Sequence, residues 1–257
     1  MKIEAILFDM GGTIEDIRHD RRSRLAATGE LLALLAREGL VLNACEDEVL
    51  DSIERRNREY RTWSESTMRE GRPAAIWNEW YLRDFSLPVD EVNRVAEKLA
   101  YIWETKFYTR SVRPEAAAAL RNLKARGYSL GVISNTSCEA QVHETIRAYG
   151  IADLFDCVCL SCVSGIRKPD PRIFMEALSI IGSSAENTAY VGDTVSRDIS
   201  GAKAAGFAAA FQIKSFMTAD RDAELPPDSP RPDFLIGNLL EVEYILDKIH
   251  QRQAQEE

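Results

Sequence analysis

Short apolar runs alternate with helical repeats through most of the chain. The run AILFD opens the pattern, and similar runs return as SLGVISN, FDCVCLS, TAYVGD and FAAAFQI. The stretches between them place apolar side chains at intervals of three and four residues, which is typical of helices. Continuous apolar strands separated by helices predict a parallel sheet that is covered on both faces. The expected fold class is therefore α/β, with a doubly wound, Rossmann-like parallel sheet.

A long helical region interrupts this pattern after the first strand. From about Arg18 to Tyr108, leucines and other apolar residues recur at helical spacing. This gap is far longer than an ordinary crossover, so we expect an inserted helical domain over the carboxyl edge of the sheet. The expected division is an α/β core of residues 1–16 and 110–257 and a helical cap of residues 17–109. Such a cap would act as a lid that excludes water and contacts the substrate.

The sequence does not establish which side chains of the cap would contact a ligand. All four tryptophans lie there, and we expect most of them to fill a helical core because aromatic residues dominate such cores. The arginines of the cap fit either a solvated helix face or a clasp for an anionic substrate tail. The sequence does not decide which of these side chains face the site: Arg55, Arg58, Arg61, Trp77 and Tyr81.

Composition narrows the class of partner. The chain has 257 residues, of which 45% are apolar and 28% charged, with a net charge of -9. These values are ordinary for a globular protein and argue against broad binding to nucleic acid or to an anionic membrane. The chain has no apolar run of about 18 residues, and its N-terminus lacks the pattern of a secretion signal. With an odd number of cysteines as well, we expect a cytoplasmic protein.

Three of the five cysteines lie together in DCVCLSCVSG. A zinc site is one interpretation of Cys157, Cys159 and Cys162, but no second cysteine or histidine cluster completes a ligand set. Cys157 and Cys159 also fit one buried face of a strand, where cysteine packs as a small apolar residue. The packing interpretation is favoured.

Polar residues follow the predicted strands. Asp9 closes AILFD, Ser134 closes the next run, and Asp193 closes AYVGD. Lys168 lies in GIRKPDP after the third of these runs, and Asp198 comes five residues after Asp193. Because the carboxyl ends of parallel strands meet at one edge of the sheet, we expect these side chains to converge there.

Such a set of side chains suits phosphoryl transfer. Two carboxylates can hold Mg²⁺, a hard cation that prefers oxygen ligands. A lysine, together with hydroxyl or backbone donors, offsets the charge of the phosphoryl oxygens. An aspartate beside a cation and a lysine stays ionised and can attack in line, which gives an acyl-phosphate intermediate.

The chain resembles the haloacid dehalogenase-like hydrolase superfamily, in its branch with a helical cap inserted after the first strand. The stretches RKPDPRIF and VGDTVSRDISGAKAAGF carry most of the resemblance, which spans nearly the whole chain. It implies that Asp9 is the catalytic nucleophile, that Ser134 binds the phosphoryl group and that Lys168 balances its charge. Asn135 and Thr136 would add further phosphate-binding donors.

The same resemblance implies a magnesium site. Its ligands would be Asp9, Asp193 and the backbone carbonyl of Gly11, with Asp198 as a further ligand or as support for one. The implied cofactor is therefore Mg²⁺, and the implied substrate is a small phosphorylated compound.

Residue 11 departs from the superfamily pattern Asp-x-Asp-x-Thr. In relatives with that pattern, the second aspartate protonates the leaving oxygen and then activates water. Gly11 can do neither, although a positioned acid or base contributes roughly 10²–10⁴-fold in rate. Glu15, Asp16, a substrate group and bulk water remain candidates for this proton transfer.

The resulting hypothesis is a Mg²⁺-dependent phosphatase that acts on a small phosphorylated metabolite through an aspartyl-phosphate. Its rival is a catalytically weakened relative that binds phosphorylated ligands or partners without efficient turnover. Substrate identity and oligomeric state stay open.

Three other activities are disfavoured. Retention of Asp193 argues against a metal-free dehalogenase, and the absence of lysine between Lys2 and Lys98 argues against a phosphonate hydrolase with an early cap lysine. The segment DMGGT also resembles the first phosphate loop of sugar-kinase and actin-like ATPases, but helices rather than a β-hairpin are expected after it.

Overall fold

The computed structural model describes residues 2–216, 218–223 and 225–256. Its strands are β1 Ala5–Phe8, β2 Glu15–Arg18, β3 Thr109–Val112, β4 Ser129–Ser134, β5 Cys157–Leu160, β6 Thr188–Gly192, β7 Ala209–Ile213 and β8 Phe234–Ile236. Six of them form one sheet in the order β5-β4-β1-β6-β7-β8, and β2 pairs with β3. Every pairing in the six-stranded sheet is parallel, as the sequence predicts.

Strand β1 occupies the centre of the large sheet. Its residue Ile6 lies in register with Leu130 of β4 on one side and with Ala189 of β6 on the other. All four residues of β1 are buried, as expected for a strand that is covered on both faces. The residue that follows β1, Asp9, therefore lies at the middle of the carboxyl edge of the sheet.

Eleven α-helices lie within the described residues, together with short π-helical and 3₁₀ turns. The helices are α1 Arg21–Arg37, α2 Glu46–Thr67, α3 Pro73–Ala75, α4 Val89–Ile102, α5 Ala116–Ala125, α6 Glu139–Ala148, α7 Ser161–Ser164, α8 Pro171–Ile181, α9 Ser200–Ala204, α10 Thr218–Arg221 and α11 Leu240–Glu256. The π-helical turns are Ile76–Tyr81, Trp103–Phe107 and Val195–Ile199. The 3₁₀ turns are Arg83–Phe85, Ala152–Leu154 and Ala185–Asn187.

Helix α8 shows how local sequence sets these bounds. Asp170 caps its first turn, where the side chain accepts a hydrogen bond of 2.9 Å from the backbone N–H of Arg172. Pro171 takes the first helical position, and Gly182 ends the helix with a φ of 70°. The stretch RKPDPRIF therefore combines a loop and a helix start directly after Lys168.

The sheet separates two hydrophobic cores. Ile6 and Phe8 point into the core on one face, and Leu7 points into the core on the other. Cys157 and Cys159 both belong to the second core, each 4% exposed. The two sulfur atoms are 3.6 Å apart, and all five cysteines are free, so packing explains this pair as the sequence interpretation favoured.

The helical region has a core of its own. Trp77 and Trp103 are almost fully buried in it, and Trp63 and Trp80 pack against it. This agrees with a helical core as the main use of the tryptophans. The boundaries of the cap at residues 17 and 109 stay a prediction, since β2 and β3 pair across both of them.

Several elements differ from the sequence prediction. The short strands β2, β3 and β8 were not predicted, and helix begins at Arg21 instead of near Arg18. Two predicted helices in the cap pass into the π-helical turns at Ile76–Tyr81 and Trp103–Phe107. None of the helices in the described part of the chain is both long and apolar enough to span a membrane.

Candidate active site

Lys168 lies at the centre of a buried group of polar side chains. Its ammonium donates hydrogen bonds to Asp9 Oδ1 at 2.6 Å, to Asp198 Oδ1 at 2.7 Å and to the Tyr190 hydroxyl at 2.9 Å. Burial alone would lower the pKa of Lys168, but Asp198 and Asp9 raise it above its ordinary value. The lysine is therefore a fixed positive charge, and all three of its N–H donors are used.

Asp198 is bound on both carboxylate oxygens. Oδ1 accepts from Lys168 and Tyr190, and Oδ2 accepts from the Thr194 backbone N–H at 3.1 Å and hydroxyl at 2.6 Å. Burial would raise the pKa of Asp198, but Lys168 and then Arg197 hold it at about 2. These bonds favour a role in orienting Lys168, and a role as a metal ligand stays a prediction.

Asp193 keeps one oxygen without a hydrogen bond. Its Oδ2 accepts from the Ser215 hydroxyl at 2.5 Å, whereas its buried Oδ1 has no hydrogen-bond partner among the described residues. Burial, followed by the charges of Asp198 and Asp9, raises the pKa of Asp193 well above its ordinary value. Ionised Asp193 therefore needs a further positive charge beside it.

Gly12 allows this carboxylate to lie against the loop after β1. Its φ is 94°, and a Cβ at this position would lie 2.3 Å from Asp193 Oδ2. Any other side chain would clash with the carboxylate and would also strain the backbone. The glycine therefore fixes the distance between the loops that carry Asp9 and Asp193.

The three aspartates fit a divalent cation. Oxygen atoms of Asp9, Asp193 and Asp198 lie within 4.8 Å of one another, and we call these residues the carboxylate cluster. Oxygen donors of this kind suit Mg²⁺, and the unpaired Oδ1 of Asp193 is the atom best placed to bind it. The backbone carbonyl of Gly11 stays a predicted fourth ligand.

Asp9 opens onto a small cavity of about 100 Å³ that Gly11 and Ser134 also line. Its Oδ2 accepts a hydrogen bond from the Thr13 hydroxyl at 3.2 Å, which leaves Lys168 on the other oxygen. Burial raises the pKa of Asp9, and Lys168 opposes that rise. The carboxylate therefore lies against a hydrogen-bonded cation and faces a space large enough for a phosphoryl group.

The loop after β4 braces the lysine. The Asn135 side chain accepts from the Lys168 backbone N–H at 2.9 Å and donates to the Lys168 carbonyl at 3.0 Å. The Thr136 backbone N–H donates to the Ser161 hydroxyl at 2.9 Å. Ser134, Asn135 and Thr136 all line the small cavity. Their binding of phosphate stays a prediction, to which the structure adds the clamp on Lys168.

The helical region reaches the same loops through a short backbone pairing. The Glu70 N–H donates to the Gly165 carbonyl, and the Arg167 N–H donates to the Met68 carbonyl, each at 3.1 Å. The Glu70 carboxylate also accepts from the Ser161 hydroxyl at 2.9 Å. This pairing ends at the residue before Lys168.

Three carboxylates near Gly11 have different surroundings. Glu15 is fully buried and accepts hydrogen bonds from Arg110 and from the Tyr149 hydroxyl. Asp16 is paired with Arg113 at 3.2 Å. Glu104, which the sequence analysis did not single out, lines the small cavity and is the one carboxylate besides Asp9 among its described lining residues.

Glu104 is held in place from two sides. Its Oε2 accepts from Arg110 at 2.8 Å, and its Oε1 accepts from the Ser137 hydroxyl at 2.9 Å. It lies in the π-helical turn Trp103–Phe107, where the sequence pattern shows only buried aromatic residues flanking it. No motif or spacing marks it, since its position depends on the fold of the cap.

A larger cavity of about 510 Å³ adjoins the first. Of the five cap residues whose orientation the sequence did not decide, three line this cavity and two do not. Arg58, Arg61 and Tyr81 line the larger cavity, whereas Trp77 is buried in the helical core and Arg55 pairs with Asp84. The two cavities also share lining residues that the sequence analysis did not name: Glu104, Tyr108, Arg197 and Arg221.

Comparison with known proteins decides the family. The family model for haloacid dehalogenase-like hydrolases matches residues 3–206. The chain belongs to this family. It is thus a haloacid dehalogenase-like hydrolase, and the parallel sheet with Asp9 after its central strand agrees with the resemblance noted in the sequence.

Phosphatases are among the named relatives of this hydrolase. A phosphoserine phosphatase of Thermus thermophilus is 32% identical over 163 residues, which cover 62% of each chain. A glyceraldehyde 3-phosphate phosphatase of Methanopyrus kandleri is 29% identical over 236 residues, which cover 91% of this chain and 93% of the relative. Among solved structures, a 2-haloacid dehalogenase of Pseudomonas syringae has a TM-score of 0.67 at 26% identity, covering 96% of this chain and 99% of its own.

Proposed function

We propose that this hydrolase is a cytoplasmic, Mg²⁺-dependent phosphatase that cleaves a small phosphorylated metabolite through an aspartyl-phosphate at Asp9. The observation that carries the proposal is the pairing of Asp9 with Lys168 at 2.6 Å beside a carboxylate oxygen of Asp193 that lacks a partner. The nucleophile and the fixed cation both line one small cavity, and Asp193 has an oxygen within 4.8 Å of one of Asp9. The five free cysteines support a reducing compartment.

The chain's own residues supply most of the first half-reaction. Asp9 Oδ attacks phosphorus in line, so the new O–P bond forms as the P–O bond to the alcohol breaks. Lys168 favours the ionised form of Asp9 and offsets negative charge near the phosphoryl oxygens. Ser134 lies on the wall of the same cavity and would donate to one of them. Mg²⁺, held by Asp9 and Asp193, would supply further charge neutralisation.

Glu104 is the candidate for the proton transfer that Gly11 cannot perform. It lines the cavity, whereas Glu15 is not among the described lining residues and is bound by Arg110 and Tyr149. Arg110 and Ser137 fix the orientation of Glu104, as expected for a group that must meet a leaving oxygen or a water. Protonated Glu104 would give its proton to the departing oxygen, which leaves as the alcohol. The resulting carboxylate would then take a proton from water as the water attacks and the aspartyl-phosphate is hydrolysed.

A second candidate function follows from Gly11 alone. Without an acid and a base, the protein would bind phosphorylated ligands and turn them over slowly or not at all. The same cavity and the same lysine serve such a binder equally well. Glu104 is the feature that favours the enzyme.

Dehalogenation is the less favoured chemistry, although solved neighbours such as the Pseudomonas syringae protein carry that name. The unpaired oxygen of Asp193, whose carboxylate lies close to Gly12, suits a cation that a metal-free mechanism does not need. A halide-release assay on a 2-haloacid separates the two chemistries.

The deciding experiment is phosphate release from a panel of phosphorylated metabolites, with Mg²⁺ and with a chelator. Release that requires Mg²⁺ supports the phosphatase. A rise in melting temperature with a ligand that is not hydrolysed supports the binder, because any ligand specific for the folded state stabilises it.

A further inference from the structure

Three arginines from separate parts of the chain meet in the larger cavity. Arg61 comes from α2, Arg197 from the π-helical turn after β6, and Arg221 from the end of α10. All three line the cavity of about 510 Å³. Arg197 and Arg221 also line the small cavity that Asp9 faces. We call these three residues the arginine cluster.

The cluster has fewer negative partners than positive charges. The Glu65 carboxylate accepts from Arg221 at 3.0 Å and lies 3.6 Å from Arg61 Nε. The Arg197 side chain makes no hydrogen bond and no ion pair with any residue that the structure describes, and its buried Nε is unpartnered. Its principal electrostatic partners are the aspartates of the carboxylate cluster.

Other arginines of the same cavity show what a structural pairing looks like here. Arg24 pairs with Glu54 at 2.5 Å. Arg167 donates to the Ser64 hydroxyl at 2.5 Å and lies 3.5 Å from Glu70. Each of these two arginines therefore has a carboxylate of its own, whereas Arg61 and Arg221 share Glu65. No carboxylate in the described part of the chain forms an ion pair with Arg197.

Repulsion between the arginines of the cluster affects the pKa of Arg221. Its side chain is 13% exposed, and burial, followed by the charges of Arg197 and Arg61, lowers its pKa to about 9. A chain with a net charge of -9 thus gathers positive charge in one partly enclosed space. An anion placed there would relieve both the repulsion and the loss of hydration.

The backbone holds this arrangement before any ligand arrives. The Asp222 carboxylate accepts from the backbone N–H groups of Val195 and Ser196 at 2.8 and 3.0 Å. The Ser196 hydroxyl donates to the Arg221 carbonyl at 3.3 Å. The segments that carry Arg197 and Arg221 are therefore tied together, which reduces the entropy that binding would otherwise cost.

We propose that the arginine cluster binds a second anionic group of the substrate, a carboxylate or a second phosphate, joined by a short carbon chain to the phosphoryl group at Asp9. The chain is short because Arg197 and Arg221 line both cavities. Guanidinium groups suit this task, since they bind carboxylate and phosphate with paired hydrogen bonds. The inference rests on the proposed phosphatase function and specifies its class of substrate.

The test compares substrates that differ only in the distal group. 3-Phosphoglycerate carries a carboxylate where glycerol 3-phosphate carries a hydroxymethyl group, and glycerol 1,3-bisphosphate carries a second phosphate. With Mg²⁺ present, we expect kcat/KM to be about 10- to 100-fold higher for an anionic member than for glycerol 3-phosphate, mainly through KM. The carboxylate and bisphosphate arms identify which anion is preferred.

Variants assign the preference to the cluster. Arg221→Gln and Arg61→Gln should each reduce the ratio of kcat/KM between the anionic and neutral substrates about tenfold. Arg55→Gln is the matched control, because Arg55 lies on the same helix as Arg61 but pairs with Asp84 at 2.5 Å. Its ratio should equal that of the wild type.

The possible failures are distinct. Hydrolysis of all three compounds with equal kcat/KM, or an unchanged ratio in both cluster variants, would overturn the second-anion site and leave the phosphatase intact. If none of the three compounds is hydrolysed, the metabolite panel tests the phosphatase separately, and calorimetric Kd values for the same compounds decide the second-anion site. Equal Kd values for the neutral and anionic compounds would overturn it.

Discussion

The carboxylate cluster and the arginine cluster face the same space, yet their charges are balanced in different ways. Around the carboxylates, one lysine uses all three of its donors on Asp9, Asp198 and Tyr190. Around the arginines, one carboxylate, Glu65, serves two guanidinium groups and the third has no close partner in the described structure. The first cluster lacks a positive charge and the second lacks a negative one.

This difference separates the two kinds of ligand that we propose for the site. A divalent cation would balance the charge of the carboxylates, and a phosphorylated anion with a second charge would balance that of the arginines. Arg197 belongs to the arginine cluster and also interacts electrostatically with Asp193, Asp198 and Asp9. On this proposal, the charges of the site balance only when the metal and the substrate are both bound.

The largest effect should come from removing the nucleophile. Asp9→Asn keeps an acceptor for Lys168 but cannot form the aspartyl-phosphate, so phosphate release should fall by about 10⁴-fold or more. Phosphate release with saturating Mg²⁺ measures this, with circular dichroism as the control for folding. Retained activity would rule out Asp9 as the nucleophile.

The next largest effect should come from removing the unpaired carboxylate oxygen of Asp193, which we propose as a metal ligand. Asp193→Asn should lower phosphate release by about 10³-fold, because the variant would bind Mg²⁺ less well and so lose the charge neutralisation that Mg²⁺ supplies. It should also abolish the rise in melting temperature that Mg²⁺ gives the wild type. Asp153→Asn, on the 3₁₀ turn Ala152–Leu154 away from the site, is the control. An equal Mg²⁺ stabilisation in Asp193→Asn would contradict the assignment.

Glu104→Gln should lower kcat by about 10²-fold if this residue moves the proton. Adding Gly11→Asp to this variant should restore most of that loss, because the nearest neighbour of a Cβ at residue 11 would be the flexible end of Ile17, at 3.2 Å. With a good leaving group, Glu104→Gln should give a burst of product and then slow turnover, since formation of the intermediate needs little acid. Unchanged kcat in Glu104→Gln would exclude the role, and Glu91→Gln on the exposed part of α4 serves as the control.

The smallest effect should be a pH dependence of the arginine side. Burial, together with Arg197 and Arg61, places the pKa of Arg221 at about 9, so its positive charge is present below that pH and is lost above it. The ratio of kcat/KM for 3-phosphoglycerate to kcat/KM for glycerol 3-phosphate should therefore fall about threefold to tenfold between pH 8 and pH 10. In Arg221→Gln the ratio should not change over this range. A flat ratio in the wild type would show that Arg221 does not hold the anion.

The carboxylate cluster was predictable from the sequence because strand order and strand ends determine it. Asp9 and Asp193 each follow a fully buried apolar run, and neighbouring parallel strands place such residues side by side. Lys168 follows a less regular stretch, yet the loop that carries it lies next to Asn135, directly after β4. Short-range pattern and one topological rule therefore suffice for this cluster.

The arginine cluster and Glu104 were not predictable in this way. Arg61 lies on one of many charged helix faces of the cap, and Arg221 lies on a four-residue helix. Glu104 sits within a π-helical turn, whose irregular spacing removes the usual helical pattern. Their proximity depends on how the helical region packs over the sheet, and no local pattern in the sequence encodes that.

The backbone pairing between the helical region and the loop before Lys168 has a mechanical consequence. Strands β2 and β3 join the helical region to the core at one side, and the bonds from Glu70 to Gly165 and from Arg167 to Met68 form a separate attachment. A lid attached at two separate places cannot swing open about a single hinge until one attachment is released. If the helical region must open to admit substrate, the rate of hydrogen exchange at the Glu70 and Arg167 amides would report how often it opens. Each opening would also loosen the loop that positions Lys168.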